Sequence, residues 1–450
     1  MIFHTHEKLS NKEENNLSQQ NLKKAITFPQ AISIVVGVII GSGIFLKTGV
    51  VFQNAGSPYM GILAWFVGGI ITLTSALTIA EISSAIPQTG GIYTYLKVLY
   101  GDTWAFLLGW VQSIIAYPAS VAALAIAFST FATFFIPLTE VQQKLLAIFI
   151  LLFVAIMNMI ATKFGGMIQL ISTIGKLIPL IVIIVFGLIK GTANDFSFIS
   201  NTTAPSLGFG AALLGTLWAY DGWAGVTTIA GELKNPSKEL PKAIILGVSS
   251  VIGVYVIFNL ALLKIMPMNE IINSAKPASD AATILFGQSG AVFITTGVLV
   301  SVFGALNGYI LTGARVPLAM GAKGQLPFSN FLKQIHPRLN TPANSLMAIS
   351  ILAILYILSG SFNTLTDLTV FILWIFFVMT VAGIFILRRR RDIRRPAYRV
   401  PLYPIVPLIG ILGGSYILYS TLISSPINSL IGIGIALLGL PFYFYLRRKR

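Results

Sequence analysis

Gly37-Val38-Ile39-Ile40-Gly41-Ser42-Gly43-Ile44-Phe45 decides how this chain folds, because it sets three glycines inside the first long apolar segment. Each glycine weakens a helix by about 1 kcal/mol relative to alanine, so a lipid-embedded segment carries them where the backbone itself is needed. The spacing predicts a helix that breaks at mid-membrane, at Gly41-Ser42-Gly43. Such a break frees the amides of Ser42, Gly43 and Ile44 at the start of one half-helix, and the carbonyls of Val38 and Ile39 at the end of the other. Amides at the positive end of a helix dipole attract a carboxylate, and bare carbonyls attract an ammonium. A zwitterionic amino acid meets both requirements. Gly37 and Gly41 also spell GxxxG, so close helix packing is the competing explanation.

The rest of the chain supplies the setting. Of 450 residues, 55% are hydrophobic and 10% charged, and the mean hydropathy is +0.84. These values lie well outside soluble-domain usage and imply an all-α integral membrane protein. A helix needs roughly 20 residues to cross the hydrocarbon. Twelve transmembrane spans are expected, near 29–52, 59–86, 103–136, 142–161, 166–189, 209–231, 241–266, 287–320, 343–360, 364–387, 403–422 and 427–446. The third and eighth are long enough to tilt strongly or to extend beyond the bilayer.

Lys and Arg set the orientation. With a cytoplasmic N-terminus, only Lys47, Lys144, Lys190, Lys264 and Lys276 of the 30 basic residues fall outside, and Lys176 lies within a span. The positive-inside rule then places both termini in the cytoplasm. This asymmetry accounts for the net charge of +16, so nucleic acid is not an expected partner. The basic run from Arg388 to Arg399 reads as a topology signal and a contact for membrane lipids. Residues 1–28 are polar, lack the features of a signal peptide and are expected to be a disordered tail. With no cysteine, disulfides and thiolate metal sites are excluded. The histidines are His4, His6 and His336, so neither a catalytic set nor a metal cluster can be assembled in a pocket. No enzyme activity, metal or cofactor is expected.

A second cluster of breakers, Trp218-Ala219-Tyr220-Asp221-Gly222-Trp223-Ala224-Gly225, lies in the sixth span. Spans one and six are five apart, and an odd offset gives two five-helix halves opposite orientations in the bilayer. That is the arrangement of an inverted-repeat transporter with its site between two broken helices. The halves would be residues 29–190 and 209–387, followed by the last two spans and the C-terminus at 403–450.

These residues resemble the amino acid–polyamine–organocation superfamily. Gly41-Ser42-Gly43-Ile44-Phe45 is similar to its GSGIF signature, as are Glu81-Ile82 and Pro87-Gln88-Thr89-Gly90-Gly91-Ile92-Tyr93-Thr94-Tyr95. The L-type amino acid transporters resemble the chain most closely, through Trp218 to Trp223, Gly231-Glu232-Leu233-Lys234-Asn235-Pro236 and Leu240-Pro241. Further similarity lies in Phe303-Gly304, Asn307-Gly308, Arg315, Lys323 to Pro327, Tyr117-Pro118-Ala119-Ser120, Asn158 and Lys163. Bacterial members of this kind include serine/threonine and alanine-serine-cysteine exchangers. The resemblance implies a LeuT-like 5+5 inverted-repeat fold with discontinuous helices 1 and 6.

It also implies roles. The substrate carboxylate would meet the amides of Ser42 and Gly43, within the unwound stretch Gly41 to Ile44, with the Ser42 hydroxyl as an extra donor. The ammonium would meet carbonyls at Ile39, Trp218, Ala219 and Asp221. Trp218 would be the aromatic gate over the substrate side chain, a position that is usually Phe. The larger ring favours small neutral amino acids such as alanine, serine or threonine. Lys163 would project toward the first broken helix and replace a coupling cation, or else be a positive-inside lysine at the interface. Animal L-type light chains bind a heavy chain through an external cysteine between spans three and four. Pro137-Leu138-Thr139-Glu140-Val141-Gln142 has none, which implies a free-standing bacterial inner-membrane carrier, monomer or homodimer.

Several residues keep more than one reading. Asp221 can serve structural pairing, ammonium stabilisation or proton coupling, since an unpaired carboxylate at mid-bilayer costs at least roughly 2.5 kcal/mol. Glu81 is expected to form a salt bridge or cap with Arg315 or a nearby lysine. Tyr220 can hydrogen-bond inside the broken segment, and Tyr117, Phe303 and Trp374 serve packing or pocket. Pro118, Pro179 and Pro317 mark kinks. Lys176 needs an acidic or carbonyl partner, which the sequence does not name. The expected activity is sodium-independent exchange by alternating access, with a proton- or sodium-coupled symporter as the alternative and a non-transporting amino acid sensor as the reading from another class.

Overall fold

The computed structural model describes residues 28–86, 90–160, 162–196, 206–224, 227, 235–339 and 341–448. Among them every regular element is helical. In chain order these are α1 (Phe28–Ile39), α2 (Gly43–Ala55), α3 (Pro58–Ala85), α4 (Gly91–Tyr100), α5 (Asp102–Val111), α6 (Tyr117–Ala132), α7 (Glu140–Ile160), α8 (Thr162–Lys190) and α9 (Phe209–Ala219). They continue with α10 (Pro236–Ile265), α11 (Met268–Asn273), α12 (Pro277–Gly313), α13 (Arg315–Ala322), α14 (Ser329–Leu332), α15 (Ala343–Ser359), α16 (Phe362–Arg389), α17 (Ile405–Ser424), α18 (Pro426–Leu437) and α19 (Gly439–Arg448). Eight helical stretches are long and apolar enough to cross a membrane. Four expected spans lie outside that set: the interrupted first and sixth, α8, and the 17-residue α15.

The two longest spans are bent by identifiable residues. In the third, Pro118 has no amide to donate, and a π-turn at Gln112–Ala116 precedes it, so that the Tyr117 amide bonds to the Gln112 carbonyl. The Ile114 carbonyl, four residues before the proline, accepts instead from the Tyr356 hydroxyl of α15 at 3.2 Å. In the eighth, the helix starts at Pro277 and bends at Gly287, whose φ of +69° suits a residue without a Cβ. Residues 277–286 thus form a helical segment before the expected span, and the length expected of that span divides between α12 and α13, which meet at Ala314.

Packing interleaves the two expected halves. α1 lies on α10, α2 and α3 on α9, and α12 on both α6 and α8. Polar contacts pin this arrangement in the apolar interior. Asn158 of α7 donates to Asn307 Oδ1 of α12 at 2.8 Å, with both side chains fully buried. Glu81, 1% exposed near the end of α3, receives Arg388 Nε at 3.0 Å and Nη2 at 2.8 Å. The Val400 amide adds a third bond at 2.7 Å. This corrects the expected partner, since among the described residues neither Arg315 nor a lysine is involved. Arg388 reaches Glu81 because α16 packs along α3, a contact between residues 307 apart in sequence.

Removing the guanidinium leaves a carboxylate buried without its charge partner. Arg388→Ala is expected to destabilise the protein by about 3 kcal/mol, and Arg388→Lys, which loses the two-pronged geometry, by less. Thermal unfolding of the purified protein in detergent measures both.

Candidate functional site

The first break falls at Ile40, Gly41 and Ser42, so Gly43 starts α2 instead of belonging to the gap. Ser42 is the N-cap, and its carbonyl accepts from the amides of Phe45 and Leu46 at 3.2 and 3.1 Å. The first amides of α2, those of Gly43 and Ile44, have no place in the helical ladder and point along its positive end. In the sixth span, α9 stops at Ala219, the chain turns at Tyr220-Asp221-Gly222, and Gly222 takes a φ of +103°. Residues 225–226 and 228–234 lie outside the described residues.

The two breaks touch each other. A Cβ on Gly43 would come within 2.5 Å of Ala219 Cα, and one on Gly222 within 2.6 Å of Val38 Cγ1. Glycine is therefore required at 43 by contact with the Ala219 backbone, and at 222 by its positive φ and the Val38 side chain. Tyr255 of α10, fully buried, ties the two helix ends together, with its hydroxyl 3.0 Å from the Ile39 carbonyl and 3.0 Å from the Ala219 carbonyl. One hydroxyl carries one proton, so two carbonyls share a single donor.

Above these peptide groups sits an aromatic cluster. Trp218 stacks on Tyr309 of α12 at 6.5 Å and meets Phe362 of α16 edge-on at 6.2 Å. Tyr117 meets Tyr309 at 6.2 Å. Asp221 accepts from the Tyr309 hydroxyl at 3.0 Å, so among the described residues a phenol and not a cation is its partner. Tyr220 does not bond within its own broken segment. Its hydroxyl reaches the Trp65 carbonyl of α3 at 2.9 Å, because the turn aims the ring into the packed interior. Phe303 packs near Phe128, and Trp374 is buried beside Phe377 and Gly414, so Trp374 belongs to packing.

Lys176 of α8 is 4% exposed and donates to the Gly37 carbonyl, near the end of α1. That is the partner its mid-span position demands. The Lys163 side chain lies outside the described residues. The structure places Ile39, Gly41, Ser42, Gly43, Ile44, Trp218, Ala219, Asp221 and Tyr117 around the two breaks and turns the Tyr220 side chain away toward Trp65, and it sets beside them Tyr255 and Tyr309, which the sequence reading does not single out. Both are hydroxyls in otherwise apolar spans, and a buried phenol needs a partner, which was the available signal.

Apolar helices around a pair of facing helix breaks define a membrane carrier. The family model of amino acid permeases matches residues 26–444, and the chain belongs to that family. It is similar to the serine/threonine exchanger SteT of Bacillus subtilis, at 43% identity over 430 residues covering 95% of this chain and 98% of that protein. It is similar at 34% identity over 441 residues to the large neutral amino acids transporter small subunit 2 of Mus musculus, covering 94% and 81%. With the b(0,+)-type amino acid transporter 1 of Homo sapiens it shares 31% identity over 438 residues, covering 94% and 88%. The family is one of transporters and not of enzymes.

A side chain at Gly43 must push against the Ala219 backbone, which cannot rotate away. Gly43→Ala is expected to cost about 1–3 kcal/mol in the closed arrangement of the two breaks. Loss of amino acid binding, with normal membrane insertion, is the expected readout.

Proposed function

We propose that the protein is a sodium-independent exchanger of small neutral L-amino acids, such as alanine, serine and threonine, and works by alternating access. One observation carries this reading: the start of α2 and the ends of α1 and α9 converge where Gly43 meets Ala219. Amides and carbonyls are thereby offered to opposite ends of one small zwitterion. Similarity to a serine/threonine exchanger supports the exchange reading and the size of substrate.

The twelve spans form a 5+5 inverted repeat, residues 29–190 and 209–387, with both termini in the cytoplasm of a bacterial inner membrane. The substrate carboxylate binds the amides of Ser42 and Gly43. Its ammonium binds the carbonyls of Ile39 and Ala219, which in the empty site share the Tyr255 proton. An ammonium brings three donors, so it relieves a shortage that costs about 1–3 kcal/mol for each buried orphan. Trp218 covers the side chain and limits its size. Crossing empty leaves these peptide groups unpaired in a medium of low dielectric, which slows the empty carrier and favours exchange.

Lys176 takes the part expected of Lys163. Its ammonium, held against the Gly37 carbonyl, places a fixed positive charge at the negative end of α1, where an ion-coupled carrier needs a bound cation. With no cysteine in the chain, no partner is disulfide-linked. The carrier acts as a monomer or homodimer.

The test is uptake of labelled alanine or serine into proteoliposomes, with and without internal amino acid and under imposed Na⁺ or H⁺ gradients. Dependence on internal amino acid alone supports exchange. Accumulation in empty vesicles under an ion gradient selects a symporter, the second reading, which the carboxylate of Asp221 favours for protons. Asp221→Asn with transport unchanged across pH removes that reading. Tyr255→Phe is expected to lower the KM about tenfold and to destabilise the empty protein, because the ammonium then relieves one more orphaned carbonyl. Lys176→Ala is expected to weaken binding from the cytoplasmic face, and equal loss in Lys163→Ala alone would return the role to Lys163.

A further inference from the structure

Lys47 is the one basic residue of α2, and its side chain is completely buried. Its ammonium lies 2.7 Å from Asp367 Oδ1, in the second turn of α16, and 5.5 Å from the centre of the Phe362 ring. The lysine stem crosses α9 at Gly215, where a Cβ would lie 3.9 Å from Lys47 Cδ. One side chain therefore joins the half-helix after the first break, the half-helix before the second, and α16. Asp367 is 40% exposed, so its carboxylate lies where the buried interior meets the surface of the protein.

The position of this pair along α16 gives it meaning. Arg388, bound to Glu81, is 21 residues further on, or about 32 Å at 1.5 Å per residue. The helix is thus bonded to the first half of the chain near each end, by one ion pair toward either end of α16. Around the breaks, exposure is one-sided. Val38 is 38% exposed and Thr312 of α12 is exposed, whereas Lys47, Thr48, Val51 and Trp218 are buried. The site is shut toward Asp367.

We infer that Lys47 and Asp367 are the latch that closes the site on the face away from the basic run, and that Phe362 couples the latch to Trp218. Phe362 touches both: its ring carries the Lys47 ammonium and meets Trp218 edge-on. Opening that face requires α2 and α16 to part, which breaks the ion pair and lifts Phe362 from Trp218. A small side chain beneath Trp218 leaves the stack undisturbed and the latch closed. The inference rests on the alternating-access reading, and thiol labelling tests it without any need for transport.

The absence of cysteine makes the measurement direct, because Val51→Cys introduces the only thiol. Val51 lies one turn after Lys47 on the same face of α2, against Gly215, and is fully buried. Labelling by a membrane-impermeant thiol reagent is compared in whole cells and inside-out vesicles. In the Lys47→Met and Asp367→Asn backgrounds, labelling in whole cells is expected to rise at least about fivefold, the lower end of typical conformational coupling. Phe362→Ala is expected to act in the same direction with both charges intact. For exchange, the external KM is expected to fall and the internal KM to rise. Unchanged labelling in Asp367→Asn, a near-isosteric change at a part-exposed site, overturns the inference, as does labelling that rises only in inside-out vesicles. Absence of exchange in the wild-type protein, with labelling of the variants as expected, would sink the functional reading and leave the latch standing.

Discussion

Everything in this protein depends on peptide groups that are denied helical partners inside an apolar medium. A continuous helix satisfies its own amides and carbonyls, and a break leaves several of them to find other partners or bear the cost of burial. Here two breaks face each other, at Ile40-Gly41-Ser42 and at Tyr220-Asp221-Gly222. Their close approach, through Gly43 against Ala219 and Gly222 against Val38, brings the exposed ends of three half-helices to one place. The surrounding side chains divide the unmet bonds among themselves. Lys176 takes the Gly37 carbonyl, and Tyr255 is shared between those of Ile39 and Ala219.

This division explains why the site is polar without being charged in the usual way. Asp221 is met by a tyrosine, and Lys176 by a backbone carbonyl. Ion pairs are instead placed toward the ends of α16, where Lys47–Asp367 and Glu81–Arg388 bind it to the first half of the chain. Polar groups around the breaks and ion pairs toward the ends of α16 are thus supplied by different residues. The aromatic group of Trp218, Tyr309 and Phe362 lies between the two.

Much of this was legible in the residues, and the failures have a common cause. The first break was expected at Gly41-Ser42-Gly43 and falls one residue earlier, because Gly43 can start α2 while its lack of a Cβ is needed against Ala219. Tyr220 was expected to bond locally and reaches Trp65 instead. Glu81 was correctly expected to be paired, but with Arg315 or a lysine; its partner is Arg388. Lys176 declared a need for a partner without naming one. In each case the requirement was local and the solution was distant.

The residue string by itself determined that the chain is a helical membrane protein, and located to within about a residue where its first helix breaks. These follow from the φ/ψ freedom of glycine, hydropathy and the directionality of the helix, all of which act over a few neighbouring residues. Only the tertiary structure decided which side chains answer the released groups. Tyr255, Tyr309 and Asp367 are ordinary residues in their own segments, and they acquire roles from helices packed against them from elsewhere in the chain. Packing of that kind depends on the shape of whole surfaces, which no short stretch specifies.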